Sequence, residues 1–573
     1  MNKKPLSLGL CLLGLVSLSS CGAAGDSKED VPSEEPSSSA DASSALPETS
    51  SESSSESSSI EIDPLDDDPI SLAKDPAKDY EYAPSSNENG SMHYEIFVRS
   101  FFDSNGDGIG DLNGVKAKLP YLADMGYKSI WLMPIFPSPS YHGYDVTDYF
   151  SVNKDYGTLE DFDSLVEEAK KHNIDIMLDM VLNHCSIQNP YFTEAFADYK
   201  AGKTGEDSKA DWFNFGPGGD HIYQGVYYES RFNANMPDFN LDCEAVREEI
   251  EKIVKFWIDR GVKGFRLDAV LYYYYMNVDK NVAFLNWLSD TVHKYDPDFY
   301  LVGEAWTEDA ALNSYFASKC DSFFAFSEAS GGMNSCVNFI KGYGNAAKLS
   351  QAIQSAENNR KKKNSNSYTS YFLSNHDQDR IAKNFTVDAT YKSACTYYAL
   401  LPGTSYTYYG EEIALKGARG TNPDDQNDVK RRLPMIWSQN DKTGECSFPD
   451  KTRLDLDTTQ QVSKGVEDQL NEPFSLTKHY KMMIHLRNKY SWIKRATYKD
   501  LTSSLSSDEK SLMAYSLSYG EERIVVVHNF ASHNVEVSSP ASSIIDQINI
   551  AHRIPELQGG KLRLAAHSSV IMK

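Results

Sequence analysis

The stretch Gly264–Val270, GFRLDAV, decides how the rest of the chain is read. It has the apolar and small-residue character of a buried strand, yet it carries an arginine and an aspartate two positions apart. Side chains alternate across a strand, so Arg266 and Asp268 share one face while Phe265, Leu267 and Ala269 share the other. Two opposite charges directed to one place inside a buried element point to a built polar site.

Working outward, short apolar runs alternate with amphipathic helical stretches. The predicted strands are 93–102, 129–136, 174–182, 264–271, 300–305, 321–327, 370–373 and 405–409. Between them, 159–172, 244–260 and 283–294 carry apolar residues at three- and four-residue intervals, the helical period. Eight such repeats predict a parallel (β/α)8 TIM barrel.

Two stretches break the alternation. Residues 184–240 become aromatic and rich in Gly and Asn, including WFNFGPGGDHIYQGVYYESRFNANMPDFN (212–240), too long for a plain loop. They are read as a small domain inserted after strand 3. Beyond residue 490, SLMAYSLSYGEERIVVVHNF (511–530) shows strand alternation around a YGEE turn, predicting a C-terminal antiparallel β-sandwich over 491–573. The barrel then occupies 91–183 and 241–490.

The first twenty residues hold two lysines and an apolar run, 6–18, too short to be a stable membrane span, and read as a secretory signal. Leu18-Ser19-Ser20-Cys21 resembles a bacterial lipobox, which makes Cys21 the expected lipidation site. Residues 21–90 are Ser-rich and acidic; 22–90 hold 18 Asp and Glu against 3 Lys, most of the chain's formal net charge of −26. Such a segment cannot bury enough apolar surface to offset its ordering entropy and reads as a tether. The expected address is the extracellular face of a bacterial cell membrane, held by an N-terminal lipid anchor. The acidic balance argues against nucleic-acid partners, which need basic surface for counterion release. The other cysteines are scattered without zinc spacing, so no disulfide is assigned.

In a parallel barrel the reacting groups sit at the C-terminal ends of the strands. Strand 3 ends in DMVLNH (179–184), the next carries Arg266 and Asp268, the fifth ends in LVGEAW (301–306) with Glu304, and the seventh runs into LSNHD (373–377) with His376 and Asp377. These four segments, in this order, resemble the marker regions of the α-amylase family, glycoside hydrolase family thirteen, and MPDFN (236–240) resembles its fifth region. The resemblance implies Asp268 as nucleophile, Glu304 as acid/base and Asp377 as the carboxylate that stabilises the transition state. It also implies sugar contacts from His184, His376, and His142 and Tyr144 of YHGYDVTDY (141–149), with Arg266 supporting the nucleophile. The chemistry asks for the same types: retaining glycoside hydrolysis needs one ionised carboxylate and one protonated carboxyl about 5–5.5 Å apart. Arg266 favours the ionised form of Asp268, and the apolar sequence neighbours of Glu304 suit a raised pKa.

The loop DSNGDGIGD sets Asp103, Asn105, Asp107 and Asp111 at alternate positions with the Ile109 carbonyl among them, hard oxygens suited to Ca2+. Gly114 stands where an EF-hand needs a bidentate Glu, and the loop resembles the calcium loop of the oligo-1,6-glucosidase and neopullulanase branches. Ala269 after the nucleophile, and MPDFN in place of QPDLN, lean toward α-1,4 cleavage of starch and malto-oligosaccharides by a monomer. The alternatives are an α-1,6-glucosidase or 4-α-glucanotransferase on the same fold, or a non-catalytic starch-binding lipoprotein. The run Tyr272–Tyr275 reads as core or rim packing.

Overall fold

The computed structural model describes residues 89–326, 340, 344–385, 388–420, 427–449, 461–550 and 553–573. The signal, Cys21, nearly all of the tether and Cys336 lie outside them. Among the described residues, eight parallel strands close a barrel in the hydrogen-bonded order β1-β10-β9-β8-β7-β6-β3-β2 and back to β1. They are β1 (Met92–Ile96), β2 (Ser129–Leu132), β3 (Asp175–Met180), β6 (Gly264–Leu267), β7 (Tyr300–Gly303), β8 (Ser322–Phe324), β9 (Tyr368–Phe372) and β10 (Thr404–Tyr408). The hairpin β4 (His221–Tyr223) and β5 (Val226–Tyr228) falls between β3 and β6.

Every predicted strand exists, and most stop short of the predicted C-terminal end. The run 264–271 shows why. Strand geometry ends at Leu267, and Ala269 takes φ +52°, the left-handed region that a non-glycine residue occupies only at a cost. Apolar sequence continues past the strand because the following turn is itself buried, which sequence pattern cannot tell from a strand. Asp268 therefore leaves the strand without turning away from Arg266.

The helices form where periodicity and caps agree. In Leu159–Lys171, Phe162, Leu165, Val166 and Ala169 are buried along one stripe. Its start is fixed by a capping box in which the Thr158 hydroxyl accepts from Asp161 N–H and the Asp161 carboxylate accepts from Thr158 N–H. Acidic residues occupy the first turn and Lys170 and Lys171 the last, matching the helix dipole. Glu244–Asp259 buries Val246, Ile250, Ile253, Val254 and Trp257 in the same way.

The inserted segment holds the helix Pro190–Ala201 and the β4–β5 hairpin around Phe192, Phe213 and Tyr228, all buried. Near the C-terminus, β11 (Thr497–Asp500), β12 (Leu512–Tyr519), β13 (Glu522–Asn529), β18 (Ser569–Met572) and β15 (Ile544–Ile548) form one sheet, in that order. A second sheet runs β14 (Val535–Ser538), β17 (Lys561–Leu564), β16 (Glu556–Gln558). Alternate residues of the larger sheet, Ala514, Val525, Val527 and Val570, meet Val537, Leu562 and Leu564 of the smaller, so the pair is a sandwich. The other face of the larger sheet, through Tyr515, Leu517 and Val526, joins the barrel core.

The chain is already tied down at Gly90, one residue inside the expected tether: its N–H donates to Asn488 Oδ1 at 2.9 Å and its carbonyl accepts from Arg487. Cys185, Cys243, Cys320, Cys395 and Cys446 are free thiols. Among the described residues no helix is long and apolar enough to cross a membrane.

Candidate active site

Strand register assembles the site. Asp179 of β3 pairs with Arg266 of β6, and Leu267 pairs with Gly303 of β7. The next residues, Asp268 and Glu304, therefore leave adjacent strands side by side, held by Glu304 N–H to Leu267 O and Val270 N–H to Glu304 O, each 3.0 Å. Parallel strands are about 4.8 Å apart, close to the separation of about 5–5.5 Å that a retaining carboxyl pair requires.

Arg266 is fully buried and serves three carboxyl groups. Its Nη1 donates to Asp268 Oδ1 at 2.6 Å and to Asp179 Oδ1 at 2.9 Å, and its Nη2 lies 3.4 Å from Glu304 Oε2. One cation cannot keep three buried carboxyls ionised. Burial pushes Glu304 up to about 7, Arg266 pulling against it and the charges of Asp268 and Asp377 adding to it. Burial likewise pushes Asp179 up to about 7. Glu304 Oε2 accepts the Ala269 N–H at 2.8 Å, which fixes the carboxyl beside the nucleophile candidate and explains the left-handed turn at Ala269.

A second set of charges faces this group. Asp377 lies 3.0 Å from His376 Nε2 and accepts from Arg432 Nη2 at 3.0 Å. Burial opposes ionisation of Asp377, but His376 and Arg432 outweigh it and hold the carboxyl well below the usual range. Burial also opposes a charge on His376, yet Asp377 and Glu95 outweigh it and push it up to about 9. With both ring nitrogens protonated, Nδ1 donates to Glu95 Oε1 at 2.5 Å, and the Tyr144 hydroxyl, 2.7 Å from Nε2, itself donates to Asp179 Oδ2 at 3.0 Å. Tyr144 thus links the two carboxylate groups, its ring stacked on that of His376 at 5.7 Å.

His142 Nδ1 accepts the Tyr144 N–H at 3.0 Å, which leaves the ring proton on Nε2. Burial pulls His184 down to about 4, so it is neutral; its Nδ1 lies 3.2 Å from Asn183 Nδ2, which also donates to Asp238 of the inserted segment at 3.1 Å. Asp268, Glu304, Asp377, His142, Tyr144 and His184 all line one cleft of about 520 Å3. Its size fits a small-molecule or oligosaccharide subsite. Arg266 and His376 stand behind it, bonded to the carboxylates, so of the four expected sugar contacts His376 is the one that does not line the cleft.

Three site residues escape sequence reasoning. Asp179 is visible at a strand end, but nothing in the sequence names its partner. Glu95 sits on β1, buried, and its charge in a buried strand is the same signal as Arg266. Arg432 lies in KRRLPMIW, where nothing periodic marks it.

The five residues of the 103–111 loop lie in one turn. Asp103 accepts from the N–H groups of Asn105, Gly106 and Gly108 at 2.7–3.1 Å, Asp107 from Ile109 N–H, and Asp111 from Ser104 and from Gly114 N–H. Asp103 and Asp111 are buried and Asp107 is exposed. Among the described residues no three His, Cys, Asp or Glu side chains converge as a metal cage. The donor set, all hard oxygens, suits calcium in kind, while the carboxylates here are turned to the loop's own amides.

A barrel with paired carboxyls on neighbouring strand ends, one bonded to a buried arginine and the other pushed upward by burial, is the apparatus of a glycoside hydrolase. Residues 95–496 match the family model "Alpha amylase, catalytic domain" and 512–571 match "Alpha-amylase SusG C-terminal domain"; the chain belongs to the α-amylase family. It is similar to Alpha-amylase 3 of Dictyoglomus thermophilum, 34% identical over 84% of this chain and 93% of that one. To Oligo-1,6-glucosidase of Parageobacillus thermoglucosidasius it is 28% identical over 76% and 89%. The solved structure of Eubacterium rectale Amy13B superposes with a TM-score of 0.79 at 33% identity, covering 87% of this chain and 99% of that one.

Proposed function

We propose that this α-glucan hydrolase cuts α-1,4-glucosidic bonds in starch and maltodextrins with retention of configuration. The observation that carries this reading is the single guanidinium of Arg266 set among Asp268, Glu304 and Asp179, with Glu304 pushed up to about 7. Asp268 is the nucleophile, Glu304 the acid/base, and Asp377 the carboxylate that steadies positive charge on the sugar. In the first step the Asp268 carboxylate attacks C1 while Glu304 gives its proton to the glycosidic oxygen. The C1–O bond breaks, and the leaving chain departs as an alcohol. In the second, the Glu304 carboxylate takes a proton from water, the hydroxyl oxygen attacks C1, and Asp268 is released. Two inversions restore the α configuration. Tyr144 and His142 face the sugar being cleaved.

The α-1,4 preference is supported by Ala269 after the nucleophile, by MPDFN, and by the 34% identity to an alpha-amylase. The oligo-1,6-glucosidases at 26–28% identity favour the second reading, α-1,6 cleavage or glucanotransfer on the same site. Product analysis on maltoheptaose, panose and pullulan tests the choice: hydrolysis of maltoheptaose with panose left intact supports α-1,4 cleavage, whereas release of glucose from the α-1,6 bond of panose overturns it. Calcium held by Asp103, Asn105, Asp107, the Ile109 carbonyl and Asp111 is part of the proposal, as a brace for the loop that follows β1, none of the five lining the cleft. So is anchoring of a monomer at the extracellular face of the bacterial cell membrane through lipid on Cys21, supported by Leu18-Ser19-Ser20-Cys21 and the acidic tether.

A further inference from the structure

Asp377 is held by His376 and Arg432, and each of these is fixed in turn from the first barrel strand and the turn that leaves it. Glu95 of β1 fixes His376 from behind. Arg432 is fixed a few residues further on, by the short 3-10 turn Val98–Ser100 and the residue after it. The Arg432 guanidinium donates to Asp377 Oδ1 at 3.0 Å through Nη2 and to the His376 carbonyl at 3.2 Å through Nε, and it lies 5.9 Å from the centre of the Phe97 ring. Its backbone is gripped by Ser100, which is buried. The Ser100 hydroxyl donates to the Arg432 carbonyl at 2.7 Å, and the Ser100 carbonyl accepts the Met435 N–H at 2.8 Å. The Tyr141 hydroxyl reaches the same Arg432 carbonyl only at 3.4 Å. The Trp437 indole N–H then donates to the Phe101 carbonyl at 2.8 Å. Two adjacent residues thus grip the backbone on both sides of Pro434, which has no N–H of its own to offer.

The turn that carries Ser100 is itself pinned. Ser100 N–H donates to Phe97 O at 3.0 Å, Gly110 N–H to Arg99 O at 2.8 Å, and Asp111 N–H to Phe102 O at 3.1 Å. Gly110 leaves no room for a side chain, since a Cβ there would stand 2.0 Å from Val98 O. Beyond Trp437 the chain returns to the same loop. Asp103 N–H donates to Gly444 O at 2.9 Å and Ser447 N–H to Gly108 O at 2.8 Å. Residues 432–447 are therefore a strap across the loop 98–111, tied to it at both ends. A buried hydroxyl that donates to one carbonyl of such a strap fixes its register, and here the carbonyl belongs to the residue whose guanidinium meets Asp377.

We infer that Ser100 is a positioning residue for Asp377, acting through Arg432: its hydroxyl sets where the guanidinium meets the carboxylate that steadies positive charge on the sugar. Arg432 and Asp377 line the cleft and Ser100 does not, so the serine acts at second hand. The inference rests on the role proposed above for Asp377. An interaction that serves charge developing on the sugar is made only in the transition state, so loosening it lowers kcat and kcat/KM together and leaves KM in place. Little movement is needed, since a misplacement of about 1 Å can cost about a hundredfold in rate.

The test uses the full chain with Ser100→Ala, Arg432→Ala and the two combined, assayed on maltoheptaose. Ser100→Ala should lower kcat about tenfold and leave KM unchanged. In the Arg432→Ala background the same substitution should cost less than about twofold, because the group it positions is gone. Losses that multiply in the double variant would overturn the inference, as would a Ser100→Ala enzyme with wild-type kcat and only a lowered melting temperature, the mark of a purely structural bond. Trp437→Phe removes the neighbouring bond to Phe101 and keeps a ring. It should show the same fall in kcat at constant KM, suppressed in the same way by Arg432→Ala, and it decides the matter if Ser100→Ala does not fold. Asp377→Asn separates the two readings. Near-wild-type turnover in that variant would overturn the role of Asp377 and the inference with it, whereas lost turnover there beside an unaffected Ser100→Ala overturns the inference alone.

Discussion

Glu304 and Arg266 act through one shared charge. Since Glu304 must hold its proton to act as an acid, kcat/KM on maltoheptaose should fall as pH rises through about 7, measured across pH 4–9. The same shift carries a stability consequence. The folded state keeps the proton up to about 7 while the unfolded chain releases it near 4.5, so this carboxyl lowers stability as pH rises between those values. Glu304→Gln removes the slope; its melting temperature should match wild type below pH 4.5 and exceed it at pH 8, and parallel curves would contradict the assignment. Arg266→Ala leaves Asp268, Asp179 and Glu304 without their cation and should cost about 3–5 kcal/mol in chemical denaturation. Arg266→Lys should regain part of the stability but little turnover, because one ammonium cannot reproduce the spread of the two Nη groups. Much of this site is legible in the sequence, since strand alternation alone puts Arg266 beside Asp268. Asp179, Glu95 and Arg432 are not, because their partners come from distant segments, and only barrel closure brings Glu95 of the first strand to His376.

At the scale of elements, periodicity finds the barrel strands and the long helices, while it overruns the strand ends wherever a buried turn continues the apolar pattern, as after Leu267. The tyrosine run defeats it for a related reason: four identical residues carry no phase, and between the left-handed Ala269 and Met276 Tyr273 is buried while Tyr275 is exposed. The loop 103–111 offers its own test. Three aspartates in nine residues repel one another, and a cation bound only by the folded loop stabilises it by roughly RT ln(1 + [L]/Kd), about 3 kcal/mol at a hundredfold excess over Kd. Chelation should lower the melting temperature by several degrees, added calcium should restore it, and Asp107→Ala should abolish the response. Identical melting curves in chelator and in millimolar calcium, with no metal by elemental analysis, would make the loop a turn closed by its own amides.

For the whole molecule, order and spacing of short segments disclose the barrel and the sandwich by their periods and the insertion by the lapse of periodicity between two barrel strands. The packing of the sandwich's larger sheet on the barrel is not legible, because the alternation that marks its strands does not say whether the second face meets solvent or another element, and here both faces are covered. If lipid on Cys21 is the anchor, Cys21→Ser should move the protein from the membrane fraction to the medium with specific activity unchanged; retention in the membrane would point to another attachment. The central claim is that Asp268 forms a covalent bond to the sugar. A fluorinated maltosyl fluoride, whose ring fluorine slows release of the intermediate more than its formation, should lose its anomeric fluoride and raise the mass of the intact protein by one fluoromaltosyl unit. Peptide mapping should place the adduct on Asp268, with none formed by Asp268→Asn. An adduct on a different carboxylate, or a substrate turned over to the β-anomer with no adduct at all, would contradict it.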